Sequence, residues 1–202
     1  MPGPVRVATQ ADAAPLAASL ARAFYDDPVM SFLIPHEPTR RRRIATYFDV
    51  ALSVQHLPHG GCYTDTDRAG GALWDPPNHW KLGYGQILRA SPQMISAFGL
   101  GVPRALRVLS TIERQHPRIP HWYLAVLGTD PIHQGKGIGS ALLAPILDRC
   151  DRDGIGAYLE SSKHSNIAFY RRHRFEVTGE IVLPGGPTVW PMWRDPHPPE
   201  DP

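Results

Sequence analysis

The densest run of chemically suggestive residues in the chain is Gln134-Gly135-Lys136-Gly137-Ile138-Gly139-Ser140. Glycine weakens a helix interior by close to 1 kcal/mol per residue, so three glycines in five residues at a helix start need something to compensate them. Close approach supplies the reason. Without side chains, the backbone N–H groups that lack acceptors in the first helical turn can all point at one anion. The positive end of the helix dipole adds to that attraction, and together they suit a phosphate or diphosphate. Two other phosphate loops fail on spacing: Lys136 is followed by glycine rather than Ser or Thr, and the glycines run G-x-G-x-G rather than G-x-G-x-x-G.

Such a loop works only between a strand and a helix, and the flanking sequence provides both. His121 to Leu127 is a nearly continuous apolar run, expected to be a central strand covered on both faces. Ile138, Leu142, Leu143, Ile146 and Leu147 form one stripe of a helix over residues 136–152, kinked at Pro145. Upstream, Val5 to Val7 reads as a strand. Thr9 and Asp12 form a capping pattern for a helix over 10–25, with Leu16, Leu20 and Phe24 inward and Asp26-Asp27-Pro28 as its end. A second helix starts near Thr39, with Ile44, Tyr47, Phe48, Ala51 and Leu52 on one face. Arg40 to Arg43 lie in its first turn, as a solvated basic turn or an attractor of an anionic ligand. Residues 62–66 and 71–75 read as a hairpin, 85–99 and 103–115 as helices despite Pro92 and Pro103, 157–160 as a strand, 166–173 as a helix, and 176–183 with 188–193 as a closing hairpin. The expected fold is α/β (α+β in its mixed sheet), with a mostly antiparallel twisted sheet of about six or seven strands flanked by helices. One domain is expected over residues 1–194, with its core motif at 121–180 and a Pro-rich, mobile tail at 195–202.

Gln134 to Gly139 resembles the Arg/Gln-x-x-Gly-x-Gly/Ala signature of the GNAT superfamily of acetyl-CoA-dependent N-acetyltransferases. The order of Val5 to Thr9 before a helix, Tyr158 to Glu160 as the next strand, and Asn166 to Tyr170 followed by Phe175 is similar too. The segments Phe24 to Pro28 and Ala72 to Pro77 are similar to the branch containing puromycin N-acetyltransferase. The resemblance implies a GNAT-like fold, acetyl-CoA as co-substrate and CoA as product. It implies that Leu127, Gly128 and Thr129 hold the pantetheine arm and that one N–H there polarises the thioester carbonyl. It places Gln134, Gly135, Lys136, Gly137, Ile138, Gly139 and Ser140 at the diphosphate, Asn166 near the cofactor, and Tyr170 at its sulfur. Two positions depart from the family pattern: Lys163 stands where Asn is usual, and Arg174 where Gly is usual.

The chemistry implied is attack of a neutral amine on a thioester. A strand-end N–H suits the charge that develops on the carbonyl oxygen, and a phenol such as Tyr170 keeps its proton at pH 7 and can give it to the leaving thiolate. Packing is the alternative role for Tyr170. For the base, Glu160, Asp75, His121 and Asp27 are all candidates, each with an ordinary structural alternative. Trp74, Trp80, Tyr84 and Phe98 either fill the core or line an aromatic amine pocket. No metal is expected: the only close histidine pair, His56 and His59, is interrupted by Pro58. The leading activity is acetylation of a small-molecule primary amine in a ternary complex. The alternatives are a protein lysine or N-terminal acetyltransferase, a non-catalytic CoA-binding module and, remotely, a nicotinamide oxidoreductase.

Composition narrows the setting. In 202 residues the net charge is +2 and the pI about 8.6, too weakly basic for a nucleic-acid binder. The start of the chain lacks the apolar run of a signal peptide, and no stretch approaches a membrane span. Two cysteines, Cys62 and Cys150, are too few for a disulfide scaffold. A cytoplasmic monomer or homodimer is expected, with partners limited to a small amine and no nucleic acid or membrane.

Overall fold

The computed structural model describes residues 3–197. Strand β1 (Val5–Val7) leads into a tight turn where Asp12 accepts the N–H and hydroxyl of Thr9, closing the expected capping box. The Asp12 carboxylate also binds Arg6 (2.7 Å) and Arg68 (2.7 Å). The Arg6 hydrogen bond is the largest of the effects that hold this carboxyl far below the usual carboxylate range. Helix α1 (Ala13–Ala23) buries Leu16 and Leu20 on the stripe read from the sequence.

Asp26-Asp27-Pro28 was expected only to end that helix, and it also begins another. Asp27 caps α2 (Pro28–Leu33) by accepting the N–H groups of Val29 and Met30, and Pro28 takes the first helical position, where its missing N–H is harmless. Helix α3 (Glu37–Val50) runs on into a π-helical turn, Ala51–His56. Strands β2 (Cys62–Asp65) and β3 (Gly70–Asp75) form the first hairpin. Residues 76–121 carry α4 (Tyr84–Phe98) and α5 (Val102–Gln115) before the chain returns as β4 (Trp122–Thr129), antiparallel to β3. Then follow α6 (Ile138–Asp153), β5 (Ala157–Ser161), α7 (Ile167–Arg172), β6 (Glu176–Val177), β7 (Ile181–Val182) and β8 (Thr188–Arg194).

The sheet runs β1-β2-β3-β4-β5-β8-β6, with β7 also paired to β8. It is open and mixed: only β4 and β5 are parallel. One face packs on α1, α3, α4 and α5 through Leu16, Leu20, Ile44, Phe48, Phe98 and Val108. The other packs on α6 and α7 through Leu142, Leu143, Ile146, Leu147 and Ile167.

Two expectations are corrected. Strand β4 is not covered equally on both faces but alternates buried with half-buried residues. The long strand expected over 176–183 is two short ones. Pro191 of β8 has no N–H to offer the strand opposite, and its carbonyl takes both the N–H (2.9 Å) and the hydroxyl (3.2 Å) of Thr178 in the break between them. Of the tail expected to be mobile, residues 198–202 lie outside the described residues. Asp195 accepts the Trp193 indole N–H, and the His197 N–H reaches Asp151 (2.7 Å).

Arg174, just after α7, has φ +64°, a left-handed backbone that a side chain resists. This strain costs about 1–2 kcal/mol, against about 0.5–1 kcal/mol for the extra freedom glycine brings to the unfolded chain. Arg174→Gly is therefore expected to stabilise the protein by up to about 1.5 kcal/mol in urea unfolding. Lower stability in the variant contradicts a strained turn.

Candidate active site

Strands β4 and β5 pair for only three residues: Trp122 with Ala157, Tyr123 with Tyr158, and Leu124 with Leu159. Beyond Leu124 they part. A shift in the β3–β4 register between Leu73 and Trp74 puts one extra residue, Ala125, into β4. An inserted residue reverses the direction of every backbone group after it. The Trp122 N–H faces β5, where it binds Gly156 O (2.9 Å), whereas the Asp130 N–H faces β3, where it binds Ala69 O (2.8 Å). By strand alternation, the N–H and C=O of Leu127 and Thr129 then face away from β3, into the gap. The Thr129 carbonyl does so visibly, because it accepts the side-chain amide of Gln134 at 3.1 Å.

The gap is a cleft of about 640 Å³, within the range of small-ligand sites. One wall is Leu124 to Thr129; the other is Leu159 to Lys163. Its floor is the start of α6. The first helical bond there joins the Ala141 N–H to Gly137 O, so the amides of Ile138, Gly139 and Ser140 have no acceptor in the helix. Gly135 (φ +75°) and Gly137 (φ +81°) are left-handed, and at both a Cβ meets only open space. At these two positions the backbone conformation, rather than room, demands glycine. Gly139 differs: a Cβ there comes within 3.2 Å of Phe169, so it lets α7 close onto the loop.

Of the residues singled out in the sequence, Leu127, Gly128, Thr129, Gln134, Gly135, Gly137, Ile138, Gly139, Ser140, Asn166 and Tyr170 line this cleft. Lys136 does not; its ammonium turns back to the Ile132 carbonyl (3.4 Å). Lys163, Phe169 and Arg172 also line it without having been singled out as contacts. For Arg172 the signal was a cation two residues after Tyr170, in the last turn of a short helix.

The four base candidates separate. Asp75 is fully buried and bound to His56 (2.7 Å), away from the cleft. His121 lies behind the cleft wall. Asp27 and Glu160 both reach the cleft. Both Asp27 oxygens are engaged: one caps α2, and the other takes the Ser162 hydroxyl, bridging the α1–α2 turn to the end of β5. Glu160 accepts the Tyr123 hydroxyl on Oε2 (2.8 Å), while Oε1 is buried without a partner. The Tyr170 ring is buried, and burial together with the charge of Asp27 holds its proton well above the ordinary phenol range.

The proposed aromatic pocket of Trp74, Trp80, Tyr84 and Phe98 is not formed. Trp74 packs under α6, Trp80 stacks on His116 (3.7 Å), Tyr84 is 95% exposed, and Phe98 sits in the core by α3. Phe24, Phe169 and Tyr170 supply the aromatic surface of the cleft instead.

A sequence profile described as the acetyltransferase (GNAT) family matches residues 99–175. An uncharacterized N-acetyltransferase of Schizosaccharomyces pombe is 30% identical over 178 residues, 83% of this chain and 72% of that one. The chain belongs to the GNAT acetyltransferase family. A crystal structure from Corynebacterium glutamicum, described as histone acetyltransferase HPA2 and related acetyltransferase, is 28% identical to this acetyltransferase over the whole of both chains, with a TM-score of 0.76. A polyamine N-acetyltransferase of Drosophila melanogaster that forms N-acetylagmatine is 14% identical. It covers 95% of this chain and 98% of its own, with a TM-score of 0.60, and shares the fold.

The loop geometry is testable by itself. Gly137→Ala meets no atom, so the left-handed backbone alone sets its cost. The expected loss is about 1 kcal/mol in chemical unfolding. An unchanged midpoint contradicts a left-handed Gly137.

Proposed function

We propose that this acetyltransferase moves an acetyl group from acetyl-CoA to the primary amine of a small molecule, with both substrates bound together. The observation that carries this reading is the convergence of three features on one cleft: free strand-end backbone, a helix start with unpaired amides, and a buried Tyr170. The donor set fits the co-substrate. The amides of residues 138–140 and the guanidinium of Arg172 suit its diphosphate, and the Leu127 backbone suits the amides of the pantetheine arm. Once bound, acetyl-CoA supplies the acyl group and a thiolate leaving group.

The residues of the chain then divide the work. A strand-end N–H beyond Ala125 is placed to meet charge on the acyl oxygen. Tyr170 holds a proton for the departing sulfur, since its phenol stays protonated across the working pH range. Glu160 takes the proton of the incoming ammonium: its carboxylate lines the cleft and its Oε2 takes only the Tyr123 hydroxyl, while both Asp27 oxygens are bound. A small acceptor is favoured by the size of the cleft, about 640 Å³, which Phe24, Asp27, Glu160 and Ser162 line together.

The same proposal takes residues 1–194 as one acetyltransferase domain of a cytoplasmic protein, a monomer or homodimer. Support for a reducing compartment comes from Cys62 and Cys150, buried free thiols whose pKa values burial pushes up.

A panel of primary amines with acetyl-CoA, read by release of free thiol, tests the reading. Turnover with small amines and none with lysine-bearing peptides is expected; the reverse preference overturns it. Tyr170→Phe is expected to lower kcat by about 10²-fold or more with the acetyl-CoA KM within about twofold. Because burial and Asp27 raise the folded phenol pKa, wild-type kcat is expected to show no loss from Tyr170 ionisation up to about pH 10. A wild-type fall near pH 9 that is absent in Tyr170→Phe contradicts this.

A further inference from the structure

Behind Glu160 lies a closed aromatic box that the reaction as described does not use. His116 is its centre. Trp80 stacks on the His116 ring (centroids 3.7 Å), and Tyr123 and Tyr158 meet it edge-on at 4.8 and 5.0 Å. His121 approaches at 4.9 Å, and Trp193 meets His121 edge-on at 5.6 Å. Both histidines are buried.

The hydrogen-bond directions within the box are forced. His121 Nδ1 lies 2.7 Å from the Ile119 carbonyl oxygen, which can only accept, so Nδ1 carries a proton. Burial lowers the pKa of His121 and keeps the ring neutral, which leaves its Nε2 bare. His116 Nε2 lies 3.0 Å from that atom and must therefore donate. Its Nδ1, on the other side of the ring, faces Glu160 Oε1 at 3.7 Å. Glu160 Oε2 is occupied by the Tyr123 hydroxyl, and Oε1 has no partner. The two atoms face each other among the buried rings, and a proton held between them makes their contact a charge-assisted one. The other polar groups near the pair are the Tyr158 hydroxyl, whose pKa burial and the adjoining Glu160 carboxylate push up, Lys81 over the Trp80 ring (4.7 Å), and Asp75, paired with His56.

We propose that Glu160 and His116 together take up the proton that the acceptor ammonium loses, with His121 fixing the ring tautomer of His116 that can receive it. This rests on the acetyltransferase reading above. The N–H bond of the ammonium breaks, its electron pair stays on nitrogen to attack the thioester, and the proton passes through Glu160 to settle between Oε1 and His116 Nδ1. After product leaves, the proton returns to solvent by the cleft. His116 touches no substrate and acts through Glu160; His121 is a positioning residue.

The test uses the full chain with acetyl-CoA and its best amine. His116→Phe keeps the ring stack on Trp80 but removes the receiving nitrogen. It is expected to lower kcat at least about tenfold, leave the acetyl-CoA KM unchanged, and move the low-pH limb of kcat by at least about one pH unit. His116→Gly is expected to lose activity similarly and to recover several-fold on adding imidazole, a recovery that lost packing alone does not give. If wild type turns over and both variants match its kcat and pH profile, or His116→Gly gains nothing from imidazole, the relay is overturned while the acetyltransferase reading stands. A wild type that binds acetyl-CoA yet releases thiol with no amine overturns both.

Discussion

The parting of β4 and β5 after three paired residues is the constraint on which the site depends. Parallel neighbours normally hydrogen-bond along their length. Here the inserted Ala125 turns the later backbone groups of β4 the other way, and the end of β5 is held off by Ser162 bonding to Asp27. The cleft wall is therefore made of main chain, whose donors and acceptors need partners. Under the proposed function, the amides of a pantetheine arm are those partners, in the way an added strand's are, and the α6 amides are the partners of its diphosphate.

The same parting explains how the two sides of the sheet share the chemistry. The alternation of β4 sends Trp122 and Leu124 toward α6, whereas Val126 beyond the insertion joins the core under α1 and α3. Tyr170 enters from the α7 side, and Asp27 from the α1–α2 turn. Tyr123, Tyr158 and Glu160 sit together, with Tyr123 donating to Glu160. Residues from different layers thus meet at one cleft, which is what the proposed division of work between leaving group and incoming amine requires.

Much of this was legible because it is local. The glycine spacing, the stripe of α6 and the apolar run of β4 each follow from a few adjacent residues, and they place Gln134 to Ser140 between a strand and a helix as expected. The α2 cap was written in Asp27-Pro28 but reads equally as a stop. What stayed hidden depends on strand register and on tertiary placement. The inserted Ala125 is visible only in its register with β3. The His116–His121 pair needed the chain fold between α5 and β4, and the placement of Glu160 needed Tyr123, 37 residues away. Lys136 stands apart: it is a cation within a phosphate-binding pattern, and its side chain bonds to its own loop.

The central claim is that the start of α6 grips the diphosphate end of a thioester carrier held along β4. Calorimetric titration of the full chain with acetyl-CoA and with S-acetylpantetheine, which has the same arm and acyl group but no diphosphate, measures this directly. The account predicts that the truncated ligand binds at least about tenfold more weakly, a difference of about 1.4 kcal/mol or more. Equal affinities contradict it.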